Sequence, residues 1–143
     1  MQTTLITFPG GKRVDAAFDG YTVPTDQPIA AGGTGTAAGP FDLFLASLGT
    51  CAGFYVLAFC QARGLPTDGL VLVQSVTTDP ATKLPARVDI DVRLPPGFPD
   101  RHKAGLLRAA EHCKVKKMLE APPAVAVRAS DPVMALEPAA VAS

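Results

Sequence analysis

From Leu43 to Ala62 the chain runs for 20 residues without a charged side chain, which is long enough to span a bilayer if helical. Where that run is buried decides the fold. Ser47, Gly49, Thr50, Gly53 and Gln61 interrupt its apolar character, Asp42 stands at its entrance, and no aromatic–basic belt flanks it. These features point to the core helix of a globular domain and away from a membrane span using residues 43–62. Pro40 is placed to open the helix, Asp42 complements its positive end, and Gly64-Leu65-Pro66 stops it. The expected helix runs from Phe41 to Arg63, about 34 Å long at 1.5 Å per residue. A helix apolar on every face is more than the rest of so short a chain can cover, so a second subunit is expected. Gly49 and Gly53, one turn apart, offer a point of close helix approach.

The segments around this helix read as strands and turns. Thr3–Phe8, Arg13–Phe18 and Tyr21–Val23 are β-prone runs separated by Pro9-Gly10-Gly11 and by Asp19-Gly20, a hairpin signal, which predicts an antiparallel meander. Residues 24–40 are rich in Gly, Ala and Pro and are expected to form a flexible loop. Leu70–Thr78 and Ala86–Leu94 are two further strands; in the second, Val88, Ile90, Val92 and Leu94 alternate with Asp89, Asp91 and Arg93. Asp100–Cys113 is an amphipathic helix with Leu106, Leu107, Ala110 and Cys113 on one face; a helical turn near Val115–Leu119 and a last strand at Ala124–Ala129 follow. This order describes an α+β domain.

Charge excludes one class of function. Lysine plus arginine and aspartate plus glutamate are 13 each, for a net charge of zero, so general attraction to phosphate backbones is not expected, and no nucleic-acid partner. Charged residues are 18% of the chain, and apolar residues 48%, against about 25% charged in an average soluble domain. Apolar surface is therefore expected to be left for a partner subunit or an apolar ligand.

Three cysteines without framework spacing, and a start (Met1-Gln-Thr-Thr-Leu-Ile) lacking the pattern of a signal peptide, make the reducing cytoplasm the expected compartment. Cys51 and Cys60 are nine residues apart, half a turn on a helix, so they point to opposite faces and cannot bond to each other. Cys60 reads as a small core residue. Cys113 follows Glu111-His112 and precedes Lys114, Lys116 and Lys117, cations of the kind that acidify a thiol. Cys51 has no local activator, and any would come from residues distant in sequence. A metal site is not expected: His112 and Cys113 are adjacent, and no CxxC or HxxxH grouping exists. Nor is there a G-x-S-x-G elbow for a hydrolase, and only His102 and His112 are available as a base.

Gly39-Pro40-Phe-Asp-Leu-Phe-Leu-Ala-Ser-Leu-Gly-Thr-Cys51 resembles the helix-opening signature of the OsmC/Ohr family, the osmotically inducible and organic hydroperoxide resistance proteins. Ala109-Ala-Glu-His-Cys113-Lys-Val-Lys-Lys-Met-Leu119 resembles that family's second-cysteine segment, and the order of elements is similar over roughly residues 3–129. The resemblance implies an OsmC-like domain over residues 1–130, with antiparallel sheets around a long buried central helix and an intertwined homodimer; the tail at 131–143 is rich in Ala and Pro and is expected to be mobile. It implies a thiol-dependent peroxidase acting on organic hydroperoxides, with Cys51 as the peroxidatic thiolate and Cys113 as the resolving cysteine. A dithiol or a lipoylated protein would be the external reductant, with no metal, flavin or haem.

Three positions depart from the pattern. The family's peroxidase branches carry a glutamate after the helix-opening proline, where this chain has Phe41, with Asp42 one step on. Their arginine after a Gly-Gly turn corresponds to Arg13, or to Lys12 with a one-residue offset, and their proline after the second cysteine is Lys114 here. The other reading is a non-catalytic dimer that binds an apolar small molecule at its interface.

Overall fold

The computed structural model describes residues 2–129, so the tail expected at 131–143 lies outside the described residues. Its described elements are strands β1 (Leu5–Gly10), β2 (Arg13–Phe18) and β3 (Tyr21–Val23), a single 3₁₀ turn (Ile29–Ala31), helix α1 (Pro40–Gln61), strands β4 (Val71–Thr78) and β5 (Pro85–Arg93), and helices α2 (Asp100–Glu111) and α3 (Lys114–Glu120). This is an α+β fold with two antiparallel sheets. The chain separates into two compact units, one built from residues up to Phe44 together with the segment from Ala124, the other from Leu45–Pro123.

The first unit is a meander in the order β1-β2-β3. Leu5 pairs with Ala17, Ile6 with Ala16 and Thr7 with Asp15, and an irregularity before the Gly10–Arg13 pair absorbs the Pro-Gly-Gly turn. Asp19 and Gly20 join β2 to β3 with φ of 48° and 79°, the left-handed pair that a two-residue hairpin turn of matching twist requires.

The loop after β3 differs from the flexible segment expected. Asp26 is buried, and its carboxylate accepts hydrogen bonds from the N–H of Gln27 (2.7 Å), the N–H and hydroxyl of Thr34 (3.0 and 2.6 Å), and the N–H and hydroxyl of Thr36 (both 3.1 Å). The loop folds back so tightly that a Cβ on Gly33 would lie 1.9 Å from the Gln27 carbonyl oxygen. A buried carboxylate with so many donors organises the backbone that supplies them.

In the second unit β4 and β5 pair from Val71–Arg93 through Val76–Val88 to Thr78–Pro85. The inner residues of that hairpin, with α2 and α3, pack on α1 around two apolar clusters. One contains Val56, Cys60, Phe98 and Leu106; the other contains Leu48, Ala52 and Cys113, with Cys51, Leu72, Val88, Ile90 and Val115 against it. Contact between α1 and α2 is close enough that a Cβ on Gly105 would meet the Phe59 ring at 2.9 Å.

Two expectations change. Gly49 and Gly53 face strand β4, not a second helix: a Cβ on Gly49 would stand 2.8 Å from Gln74 Oε1, and one on Gly53 3.8 Å from the Leu72 side chain. Residues 124–129 form no strand, since none of the described strands pairs with them, and Val125 and Val127 are 86% and 95% exposed. Helix α1 is long and apolar enough to cross a membrane by length and composition, and only 22% of its most apolar stretch is buried within one chain. Phe54 and Leu57 are exposed along it.

Candidate functional site

Pro40 opens α1, with its missing N–H at a position where none is needed. The Gly39 N–H donates to the Asp42 carboxylate at 3.2 Å, the backward reach of an acid at the third helical position. Asp42 is thus engaged in capping the helix. Phe41 is half exposed and stacks on Phe44 at 5.8 Å between ring centroids. No acid stands at the position of the family glutamate.

Three turns into the helix the two thiols meet. Cys51 is half-buried, Cys113 is buried, and both are free. Cys113 closes the gap between α2 and α3: its thiol donates to the Leu48 carbonyl at 3.6 Å and its sulfur accepts from the Lys116 N–H at 3.5 Å, capping α3. Leu48 is one turn before Cys51, so this anchor sets Cys113 beside it, and Cys51 packs against the apolar cluster that contains Cys113. On the strand side, the Gln74 side-chain N–H donates to the Leu45 carbonyl at 3.0 Å and fixes β4 against the same stretch of helix.

The electrostatics differ between the two sulfurs. Burial pushes the Cys51 thiol up, but the Val115 N–H, the Cys113 thiol, the Lys114 N–H and the Lys114 charge together hold it below its ordinary value. Burial pushes the Cys113 thiol up, and the neighbouring Cys51 adds to that effect against the N–H groups of Lys116 and Val115. This reverses the sequence-based expectation that the lysine cluster acidifies Cys113. The lysines follow Cys113 in the chain, but the turn they begin also brings the Val115 and Lys114 N–H groups to the other sulfur. Of the two thiols, Cys51 is the one that its surroundings favour to ionise.

Arg13 lies on β2, where its Nη2 is 2.6 Å from Asp15 Oδ2. The two residues are two apart on one strand and share a face. Arg13 Nε and Asp15 Oδ1 are buried without a hydrogen-bond partner among the described residues. Lys12 occupies the turn before β2. Cys60 is fully buried in the other cluster, away from Cys51, as the half-turn spacing requires, and burial raises its thiol pKa against the opposing charge of Arg63. Sequence reasoning missed the N–H groups of Lys114 and Val115, since no side-chain pattern marks a main-chain donor.

A hairpin meander, a long apolar helix carrying Cys51 and a helical turn that brings Cys113 to it define an α+β protein with a pair of neighbouring thiols. The model for OsmC-like proteins matches residues 33–128, and the chain belongs to that family. A sequence comparison with curated proteins finds no match. Among solved structures it is similar to an osmotic stress induced and detoxification response protein from Psychrobacter arcticus, at 22% identity and a TM-score of 0.69, covering 82% of this chain and 87% of that one. It is also similar to an OsmC-like protein from Mycoplasma pneumoniae, at 15% identity and a TM-score of 0.64, covering 85% and 89%. An organic hydroperoxide resistance protein from Legionella pneumophila follows at 18% identity and a TM-score of 0.51, covering 83% and 90%. At these identities the likeness is one of fold.

Proposed function

We propose that this protein is a thiol-dependent peroxidase that reduces organic hydroperoxides in a stress response. The observation that carries this reading is the meeting of Cys51 and Cys113 in one apolar cluster, with the Cys51 thiol held below its ordinary value and the Cys113 thiol above it. Cys51 thiolate attacks the terminal peroxide oxygen; the O–O bond breaks, the alcohol leaves after taking a proton, and Cys51 becomes a sulfenic acid. The Cys113 sulfur then attacks that sulfenic sulfur, expelling water and forming the Cys51–Cys113 disulfide. An external dithiol, free or carried on a lipoylated protein, returns both thiols and completes the cycle without a metal or organic cofactor. The working form is a cytoplasmic homodimer in which a second copy covers the apolar face of α1 around Phe54 and Leu57. Names of similar structures in hydroperoxide resistance and osmotic stress support the same reading.

The test is a single turnover. Fully reduced protein mixed with one equivalent of cumene hydroperoxide should form the Cys51–Cys113 disulfide faster than with hydrogen peroxide. Light scattering on the same sample should give twice the chain mass. Thiols that react no faster than free cysteine would overturn the peroxidase reading.

A second reading is favoured by two observations. Phe41 replaces the acid, and the Arg13 charge is met by Asp15 at 2.6 Å. A dimer of this kind without peroxidase activity would bind an apolar small molecule, and native mass spectrometry would find that molecule retained.

A further inference from the structure

Helix α3 has little of its own to hold it in place. Its seven residues are fewer than an isolated helix needs to persist in water. None of its side chains is fully buried. Val115, half-buried, packs on the cluster of Leu48, Ala52 and Cys113, while Met118 and Leu119 are exposed. The Lys116–Glu120 ion pair, 3.9 Å long and on the surface, adds little.

The sulfur of Cys113 ties this helix to its surroundings by two bonds. As the N-cap it accepts from the Lys116 N–H at 3.5 Å, filling one of the donor positions that a helix start leaves open. Through its own hydrogen it donates to the Leu48 carbonyl of α1 at 3.6 Å. Cys113 is 1% exposed, so both bonds are shielded from water. Both also depend on the sulfur being a thiol. Disulfide formation with Cys51 takes one hydrogen from each sulfur, and an organic hydroperoxide that receives the two becomes an alcohol and water. The Cys113 sulfur then has no hydrogen to give the Leu48 carbonyl, and its new bond is to Cys51.

We propose that α3 is a redox-controlled lid, fastened against the thiol cluster by the reduced Cys113 sulfur and released when that sulfur enters a disulfide with Cys51. The proposal rests on the reading of Cys51 and Cys113 as the pair that oxidises together. Release lifts Val115 from the cluster and opens the disulfide to the external dithiol, which must reach one of its sulfurs. Reduction returns the hydrogen to Cys113 and fastens the helix again.

The experiment is hydrogen–deuterium exchange of the full-length protein, read by mass spectrometry on peptides covering Lys114–Ala121. It is run before and after oxidation with diamide, which takes up the same two hydrogens without any peroxide, and peptide mapping records the Cys51–Cys113 bond. The α3 amides should exchange about fivefold faster in the disulfide form, as for the loss of a helix cap, with β4 and β5 unchanged in every form. Cys113→Ala, which makes neither bond, should show the fast α3 rate without diamide. Cys113→Ser, whose hydroxyl both caps and donates, should keep the slow rate of the reduced wild type. An α3 that exchanges no faster in the disulfide form, or that is as protected in Cys113→Ala as in the wild type, would overturn the lid. Diamide that leaves Cys51 and Cys113 unbonded would instead overturn the pairing on which the lid rests. With no peroxide in the assay, its answer is independent of the turnover test.

Discussion

Helix α1 carries two cysteines in two environments. Cys60 is enclosed by Val56, Phe98 and Leu106, and its thiol is pushed up by burial. Cys51 packs on the cluster of Leu48, Ala52 and Cys113, which Leu72, Val88 and Ile90 also line, and its surroundings are equally apolar, yet its thiol is held down. The difference is the start of α3, which brings two N–H groups, a second thiol and a lysine to one sulfur and none of them to the other. Apolar surroundings alone make a thiol inert; reactivity requires donors that the surroundings do not supply.

Removing each sulfur breaks the comparison most directly. Cys51→Ser should reduce peroxide consumption to the rate without protein, while Cys60→Ser should retain turnover within about twofold of wild type. Coupled peroxide assays on the two variants measure this. Equal losses would mean that Cys60 is not a packing residue.

The Cys60 cluster should instead dominate stability. Leu106 is fully buried beside Cys60, and Leu106→Ala should lower unfolding free energy by about 2–5 kcal/mol through lost burial and the cavity left behind. Urea titration checks this, and alkylation of Cys51 in the still-folded variant should match wild type. A variant that slows Cys51 as well would show the two clusters to be mechanically coupled.

A smaller effect is expected in the first unit. The Thr34 side-chain bond, resisted by burial and aided by the Gln27, Thr36 and Thr34 N–H groups, holds the Asp26 carboxyl well below the usual carboxylate range. A depressed folded value means that the stabilisation is present above the unfolded pKa of about 4 and is lost as pH falls through the folded value. Asp26→Asn should therefore lower the urea midpoint at pH 7, and the gap from wild type should shrink below pH 4. A gap independent of pH would show the loop to be held by shape instead of charge.

Much of the fold was legible in the chain. The Asp19-Gly20 hairpin, β2 and β3, and the alternation of β5 came from local chemistry, and those elements form as read. Pro40 and Asp42 marked the start of α1 within a residue. The half-turn between Cys51 and Cys60 followed from helical periodicity and holds in the two clusters. The staple at Asp26 was hidden because its donors, Thr34 and Thr36, are eight and ten residues away in a segment whose composition suggests only turns. Val125 and Val127 looked like strand residues because propensity reports what a segment can pair with, not whether a partner edge is present.

The sequence alone determined that a long apolar helix must carry Cys51 and Cys60 on opposite faces, since side-chain direction follows from a fixed 100° step. It also determined the hairpins, whose turns are set by residues that accept positive φ. Only the tertiary structure decided which thiol is acidic. That property depends on main-chain N–H groups and a charge arriving from more than 60 residues away, and every residue but proline carries the same N–H, so no residue type announces where one will point.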